Sequence, residues 1–204
     1  MPLQNRVSPF GELFVTPARG TLMGNRGGRL HDAQRKLGMR RWSSKQWICC
    51  VLDFKGRHRT VWGESYTELF FLDEATALAA GHRPCFECRR KDAETFAALF
   101  SGTRTRARAG AMDEVLHAER LDGKAKRLHR HQIDTLPDGA MIALKGEAFA
   151  VHGKHHLLRW TPQGYAASQP RPRGIQVYVL TPPSILAVLK AGYAPRWHRS
   201  AAEA

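Results

Sequence analysis

Short runs of apolar residues, separated by glycine and polar turns, dominate the first third of the chain. The segment 47–54 is rich in aromatic and β-branched residues and ends at Lys55-Gly56, which predicts a strand. Residues 59–62 are expected to pair back on it as a hairpin. Further strands are predicted over 11–15, 67–72, 140–160 and 175–180, and a glycine-rich loop or hairpin over 20–28.

Apolar residues with helical spacing occur mainly after residue 73. Asp73 has the character of an N-cap and Gly81 that of a C-cap, so a helix is predicted over 74–80. Other helical patterns cover 31–39, 92–100 and 112–121, with the basic segment 124–133 as a continuation of the last. A final helix is expected after Thr181, where prolines occupy its first turn.

These elements predict an α+β fold without internal repeats. Residues 1–100 would form an N-terminal region of strands, hairpin and helix, packed with a small mixed or antiparallel sheet and a terminal helix over 111–204. Between them, residues 101–110 are interpreted as a linker, because Arg104, Arg106 and Arg108 alternate there with small residues.

The net charge of the chain indicates the kind of partner that it binds. The 204 residues include 32 Lys and Arg against 18 Asp and Glu, a formal net charge of +14, and 43% are apolar, which supports a packed core rather than a disordered tail. Such an excess of arginine and lysine favours a polyanionic partner, nucleic acid and DNA in particular. The chain shows neither a secretory leader nor an apolar run that could span a membrane, so a cytoplasmic location is expected.

The four cysteines are the strongest chemical signal. In a reducing compartment they indicate metal ligands before disulfides. Cys85 and Cys88 have the spacing with which two thiolates hold one Zn²⁺ ion, and Cys49 with Cys50 could complete four ligands. Because neighbours in a strand face opposite ways, a regular strand delivers only one of that second pair. A bulge would bring both, and otherwise a histidine would complete the set, with these as candidates: His31, His58 and His82.

The stretch from Phe71 to Cys88, which ends in Ala-Gly-His-Arg-Pro-Cys-Phe-Glu-Cys, resembles the zinc-binding domain of Ada-type DNA alkylation-repair proteins. The resemblance covers about residues 47–90. It implies a four-cysteine zinc site and a cysteine that accepts a methyl group from DNA. The whole chain also resembles a bacterial protein family that shares the strings at 66–73 and 116–120, a resemblance that implies no function.

Several basic residues are candidates for contact with phosphates. Arg26 and Arg29 lie in the glycine-rich loop, and Arg40 and Arg41 follow in the most basic part of the chain. A metal-fixed turn would position four more beside the cysteines: Arg83, Arg89, Arg90 and Lys91. Aromatic residues among them would suit single-stranded nucleic acid, or would simply belong to the core.

The sequence therefore predicts a zinc-stabilised protein that binds nucleic acid, DNA in particular, with a link to DNA repair or processing. Whether it has enzymatic activity is left open by the residues. One alternative is a nucleic-acid-processing enzyme, nuclease-like or a cysteine methyl acceptor. Its catalytic candidates on the third helix are Glu114, His117 and Glu119, of which the first two are three residues apart and could share a face. A second alternative is a basic scaffold that binds an acidic protein.

Overall fold

The computed structural model describes residues 1–58, 60–103 and 105–204, which form an α+β fold. The N-terminal half contains a six-stranded mixed sheet with the order β2-β1-β5-β3-β4-β6. Its strands are β1 (Arg6–Val7), β2 (Leu13–Phe14), β3 (Leu22–Asn25), β4 (Ile48–Cys50), β5 (Leu69–Phe71) and β6 (Arg83–Pro84). One face of this sheet packs on a helix, and the other face is open to a cavity.

Helix α1 (Glu74–Ala79) lies at the centre of the molecule. Asp73 caps it as predicted, since its carboxylate accepts a hydrogen bond from the Thr76 amide at 2.9 Å. All six helical residues are buried, because the helix touches different partners on each side. Ala77 packs against the N-terminal sheet, Leu78 against the other helices and Ala79 against the C-terminal sheet.

The remaining elements surround α1. Helices α2 (Arg90–Ser101) and α3 (Ala109–Arg120) are followed by a hairpin of β7 (Leu121–Asp122) and β8 (Ala125–Lys126). An antiparallel sheet of order β13-β12-β11-β10-β14-β9 then forms, and α4 (Pro183–Lys190) follows it. Its strands are β9 (His129–Gln132), β10 (Met141–Leu144), β11 (Glu147–His152), β12 (His156–Thr161), β13 (Gly164–Pro170) and β14 (Gln176–Val179).

Buried carboxylates join the C-terminal segment to α1. Glu74 accepts hydrogen bonds from the Tyr193 hydroxyl at 2.7 Å and from the Arg196 amide at 2.9 Å. Asp73 accepts from the Tyr165 hydroxyl at 2.8 Å. The expected linker at 101–110 overlaps the last residue of α2 and the first two of α3, and its Arg104 lies outside the described residues.

Three local predictions were wrong. Residues 22–25, expected in a loop or hairpin of 20–28, instead form β3 between β4 and β5, because Gly24 lets the Phe71 ring and the Ile48 carbonyl approach its backbone closely. The segment 31–39 contains no helix, only a bridge between His31 and Leu37. The segment 124–133 forms β8 and β9 instead of continuing α3.

Residues 59–62 were expected to form a hairpin strand, and the first of them, Arg59, lies outside the described residues. Residues 60–62 are not in a strand. No helix among the described residues combines the length and apolar character that crossing a membrane requires.

Candidate metal centre

Three cysteine sulfurs converge at the edge of the N-terminal sheet. The Sγ atoms of Cys50, Cys85 and Cys88 all lie within 4.8 Å of one another. Strands β4 and β6 run parallel with Cys49 opposite Pro84, so Cys50 comes next to Cys85. Cys88 arrives three residues later from the turn that precedes α2. The sheet register and one tight turn therefore assemble the cluster.

The backbone of this turn stabilises negative charge on sulfur. The Glu87 amide donates a hydrogen bond to the Cys85 sulfur at 3.4 Å, and the Val51 amide donates to Cys88. Hydrogen bonds from the Cys50 and Cys88 thiols lower the pKa of Cys85 far below its ordinary value, whereas sharing the site with Cys85 raises the pKa of Cys50. The three thiols thus compete for negative charge, and a cation bound among them would stabilise more than one thiolate.

Cys49 does not belong to the cluster, which corrects the expectation of four cysteine ligands. Its side chain points to the other face of β4 and is fully buried with Leu69 and Phe71. Burial raises the pKa of its thiol, and Arg89 donates to its sulfur at 3.6 Å. The strand has no bulge at this point, so the alternation of side chains separates the two neighbouring cysteines.

None of the three candidate histidines replaces Cys49. His31 is buried and hydrogen-bonded to the Thr67 hydroxyl at 2.7 Å, and His82 is enclosed by aromatic rings in the core. His58 is exposed and does not join the three sulfurs. Within the described residues, the candidate site consists of three thiols.

The three sulfurs line a cavity of about 420 Å³ on the open face of the sheet. Met23 and Phe70, from neighbouring strands, form part of its floor. Glu68 also lines it, is buried, and accepts a hydrogen bond from the Trp62 amide at 2.8 Å through Oε2. Its Oε1 has no hydrogen-bond partner among the residues that the structure describes. A buried acceptor without a donor is costly, so this oxygen is suited to a donor group of a ligand or water.

Three of the arginines expected to contact phosphates are buried instead. Arg83 forms a double hydrogen bond with Asp113, at 2.8 Å on each side, and Arg89 pairs with Glu74 at 2.7 Å. Arg26 is 2% exposed and lies beneath the N-terminal hairpin. The surface docking role expected for these three is therefore corrected, because their guanidinium groups are enclosed in the protein.

The other expected contacts are at the surface. The exposed residues of that set are Arg29, Arg40, Arg41, Arg90 and Lys91. Arg90 lies 3.6 Å from Glu94 in an exposed i,i+4 pair, which neutralises little of its charge in water.

The candidate catalytic residues of α3 have separate partners. Glu114 is exposed and pairs with Lys45. His117 lies edge-on to Trp42 and Trp47, and burial together with the Arg120 charge lowers its pKa. Glu119 accepts hydrogen bonds from the Ser184 amide at 2.9 Å and its hydroxyl at 2.7 Å, so it caps the start of α4. Among the described residues, no hydrogen bond joins two of these three candidates to each other.

Sequence reasoning missed Glu68 and Arg120. A signal was present for each. Glu68 precedes an apolar strand and is on the same face as Phe70, and Arg120 continues the buried stripe of Met112 and Leu116 at a spacing of four. A charged residue on an apolar face indicates a special partner.

Comparisons of the chain with models of protein families, with curated proteins and with solved structures give no match. The functional assignment therefore depends on the geometry of the molecule itself.

Proposed function

We propose that the protein binds Zn²⁺ through Cys50, Cys85 and Cys88. The observation that carries this proposal is the approach of all three sulfurs to within 4.8 Å of one another. Thiolates are preferred zinc ligands, and a Cys-x-x-Cys turn beside a strand cysteine is a common way to present them. The resemblance of residues 71–88 to Ada-type zinc domains supports the same ion.

Three protein ligands leave one position of a tetrahedral zinc ion for water or another molecule. The cavity lies beside the cysteines, and Glu68, whose buried Oε1 has no hydrogen-bond partner among the described residues, is one of its lining residues. Zinc bound there would polarise a molecule at its open position. The arrangement supports a metal that contacts ligands from solution as well as stabilising the fold.

Metal analysis of the purified protein tests this proposal. We expect about one zinc ion per chain in the wild type and a strong loss of zinc in Cys85→Ser, because two thiolates hold the ion far more weakly than three. Wild-type protein purified without chelator that contains no zinc, or Cys85→Ser that keeps the wild-type content, would contradict it.

We further propose that the zinc-stabilised fold binds nucleic acid, DNA in particular. The support is the net charge of +14 together with the exposed Arg29, Arg40 and Arg41 in the N-terminal third. Exposed guanidinium groups release counterions from a phosphate backbone when they bind it. The buried arginines make no contribution to that surface.

The salt dependence of DNA affinity tests the second proposal. We expect the double variant Arg29→Gln/Arg40→Gln to bind duplex DNA more weakly and to reduce the slope of log K against log salt by about two, one for each phosphate contact. Lys154→Gln/Arg173→Gln removes the same charge from exposed positions of the C-terminal half and serves as the matched control. Equal slopes in the two double variants, or a flat salt dependence in the wild type, would refute this surface.

A further inference from the structure

A second cavity, of about 500 Å³, lies away from the cysteines and shares no lining residue with the first. The β1–β2 hairpin, Trp47, the end of α3 and the β7–β8 hairpin form its walls. Its cationic lining residues are Arg26, Arg41, Arg120, Lys124 and Lys126, and Glu12, which is exposed, supplies the lining carboxylate. The cavity is therefore strongly positive.

Three of these cations are held close together without an acidic partner. No carboxylate of the described residues forms an ion pair with Arg26, Arg120 or Lys126. Asp113, which lies near Arg120, is instead engaged by both sides of the Arg83 guanidinium. Buried charges in proteins are ordinarily paired, since an isolated one loses its hydration without compensation.

The arginines are fixed in position by Trp47. The guanidinium carbons of Arg26 and Arg120 each lie 3.9 Å from the indole ring centroid. Arg26 donates to the Gly11 carbonyl at 2.8 Å, and Arg120 donates to the Gly81 carbonyl at 2.9 Å. The fold thus orders both groups before any ligand arrives, which lowers the entropic cost of binding.

Some hydrogen-bond donors near this site lack a full set of partners. The Nε of Arg120 has no partner among the described residues; this atom is itself enclosed, although the residue lines the cavity. Lys126 donates to the Ala79 carbonyl at 2.5 Å, which leaves other ammonium hydrogens free. Burial and the neighbouring arginines lower the pKa of Lys126 to about 7, and burial together with Arg120 lowers that of Arg26. Burial is the main cause of both shifts, and the neighbouring positive charges act in the same direction.

We infer that this second cavity binds the phosphate monoester of a nucleotide, with Arg26, Arg120 and Lys126 as its ligands. A phosphate monoester brings almost two negative charges and three acceptor oxygens, which match the uncompensated cations and unpaired donors. Trp42, half-buried at the rim, offers a ring on which a base could stack. The volume falls within the range of about 300–1,000 Å³ typical of small-molecule sites.

The monoester can belong to a free mononucleotide or to the phosphorylated end of a strand. Titration of tryptophan fluorescence distinguishes them, with AMP in one arm and a single-stranded oligonucleotide carrying a 5′-phosphate or a 5′-hydroxyl in the other. We expect AMP, or the 5′-phosphorylated strand above its 5′-hydroxyl counterpart, to bind wild-type protein at fixed chloride. Arg120→Gln should weaken this binding about tenfold or more, as a charged hydrogen bond is lost.

Lys126→Met provides a second variant in case Arg120→Gln fails to fold. Removal of an uncompensated charge should raise the melting temperature of the ligand-free protein while it abolishes the stabilisation by added AMP or phosphorylated strand. A purely structural lysine would give a lower melting temperature instead. Arg130→Gln, an exposed charge outside the cavity, should leave both properties unchanged.

Two results would overturn the inference. One is equal binding of the 5′-phosphate and 5′-hydroxyl strands together with no binding of AMP. The other is phosphate-dependent binding that Arg120→Gln and Lys126→Met both retain at wild-type strength, because the ligand would then occupy another surface.

Discussion

Cys49 and Cys50 are adjacent in the chain, yet their thiols have different surroundings. Cys49 is packed among apolar side chains beneath the sheet, where burial raises the pKa of its thiol. Cys50 faces the cavity with two other sulfurs at hand. A zinc ion needs several sulfurs around one point, and of the two neighbours only Cys50 has Cys85 and Cys88 beside it, so only Cys50 is suited to zinc.

Gly81 packs closely against Arg120, a lining residue of the second cavity. This glycine lies just after the end of α1 and has a φ of +84°. A Cβ at this position would lie 2.6 Å from the Arg120 Cδ. We therefore expect Gly81→Ala to lower the free energy of unfolding by about 2–4 kcal/mol, from the left-handed conformation and from overpacking together. Urea denaturation followed by circular dichroism measures this change.

Gly123→Ala is the matched control for that substitution. Gly123 has a φ of +58° in the β7–β8 turn, and its Cβ would meet nothing within 4 Å. Gly123→Ala should lower the free energy of unfolding only by the part that comes from the left-handed conformation, about 1–2 kcal/mol. A loss in Gly81→Ala no greater than that in Gly123→Ala would show that Arg120 is not held tightly against the glycine.

Elements with local signals could be predicted from the sequence. Helix α1 was predicted from its cap at Asp73, and α4 from the prolines before it. Strand β3 was not, because the glycines that indicate a loop are here required by the close approach of Phe71 and the Ile48 carbonyl. The chain also leaves the helical conformation after Arg120 and forms the β7–β8 hairpin. Lys126 of that hairpin donates a hydrogen bond to the Ala79 carbonyl of α1, a contact that no local pattern indicates.

The candidate metal site likewise has parts that local sequence patterns indicate and parts that only the tertiary fold determines. The Cys-x-x-Cys spacing and strand alternation suffice to predict that two cysteines act together with one of the upstream pair. Which of Cys49 and Cys50 joins them depends on which face of β4 is covered by α1, and that is a tertiary property. The unpaired oxygen of Glu68 and the cations around Trp47 also arise only when distant segments meet.

Across the whole molecule, positive charge is divided between surface and interior. Arg83 and Arg89 are neutralised by Asp113 and Glu74 and stabilise the packing of α1, α2 and α3. Arg26 and Arg120 are buried, and no carboxylate of the described residues forms an ion pair with either. The net charge of +14 thus overstates the positive charge at the surface, because part of it is enclosed in the interior.

The zinc proposal requires Cys50, on one face of β4, to be a ligand and Cys49, on the other face, not to be one. The most direct measurement is the zinc content of Cys49→Ala and Cys50→Ala, purified side by side and checked for folding by circular dichroism. We expect Cys49→Ala to retain about one zinc ion per chain and Cys50→Ala to lose most of it. Retention of zinc in Cys50→Ala with loss in folded Cys49→Ala would contradict the account.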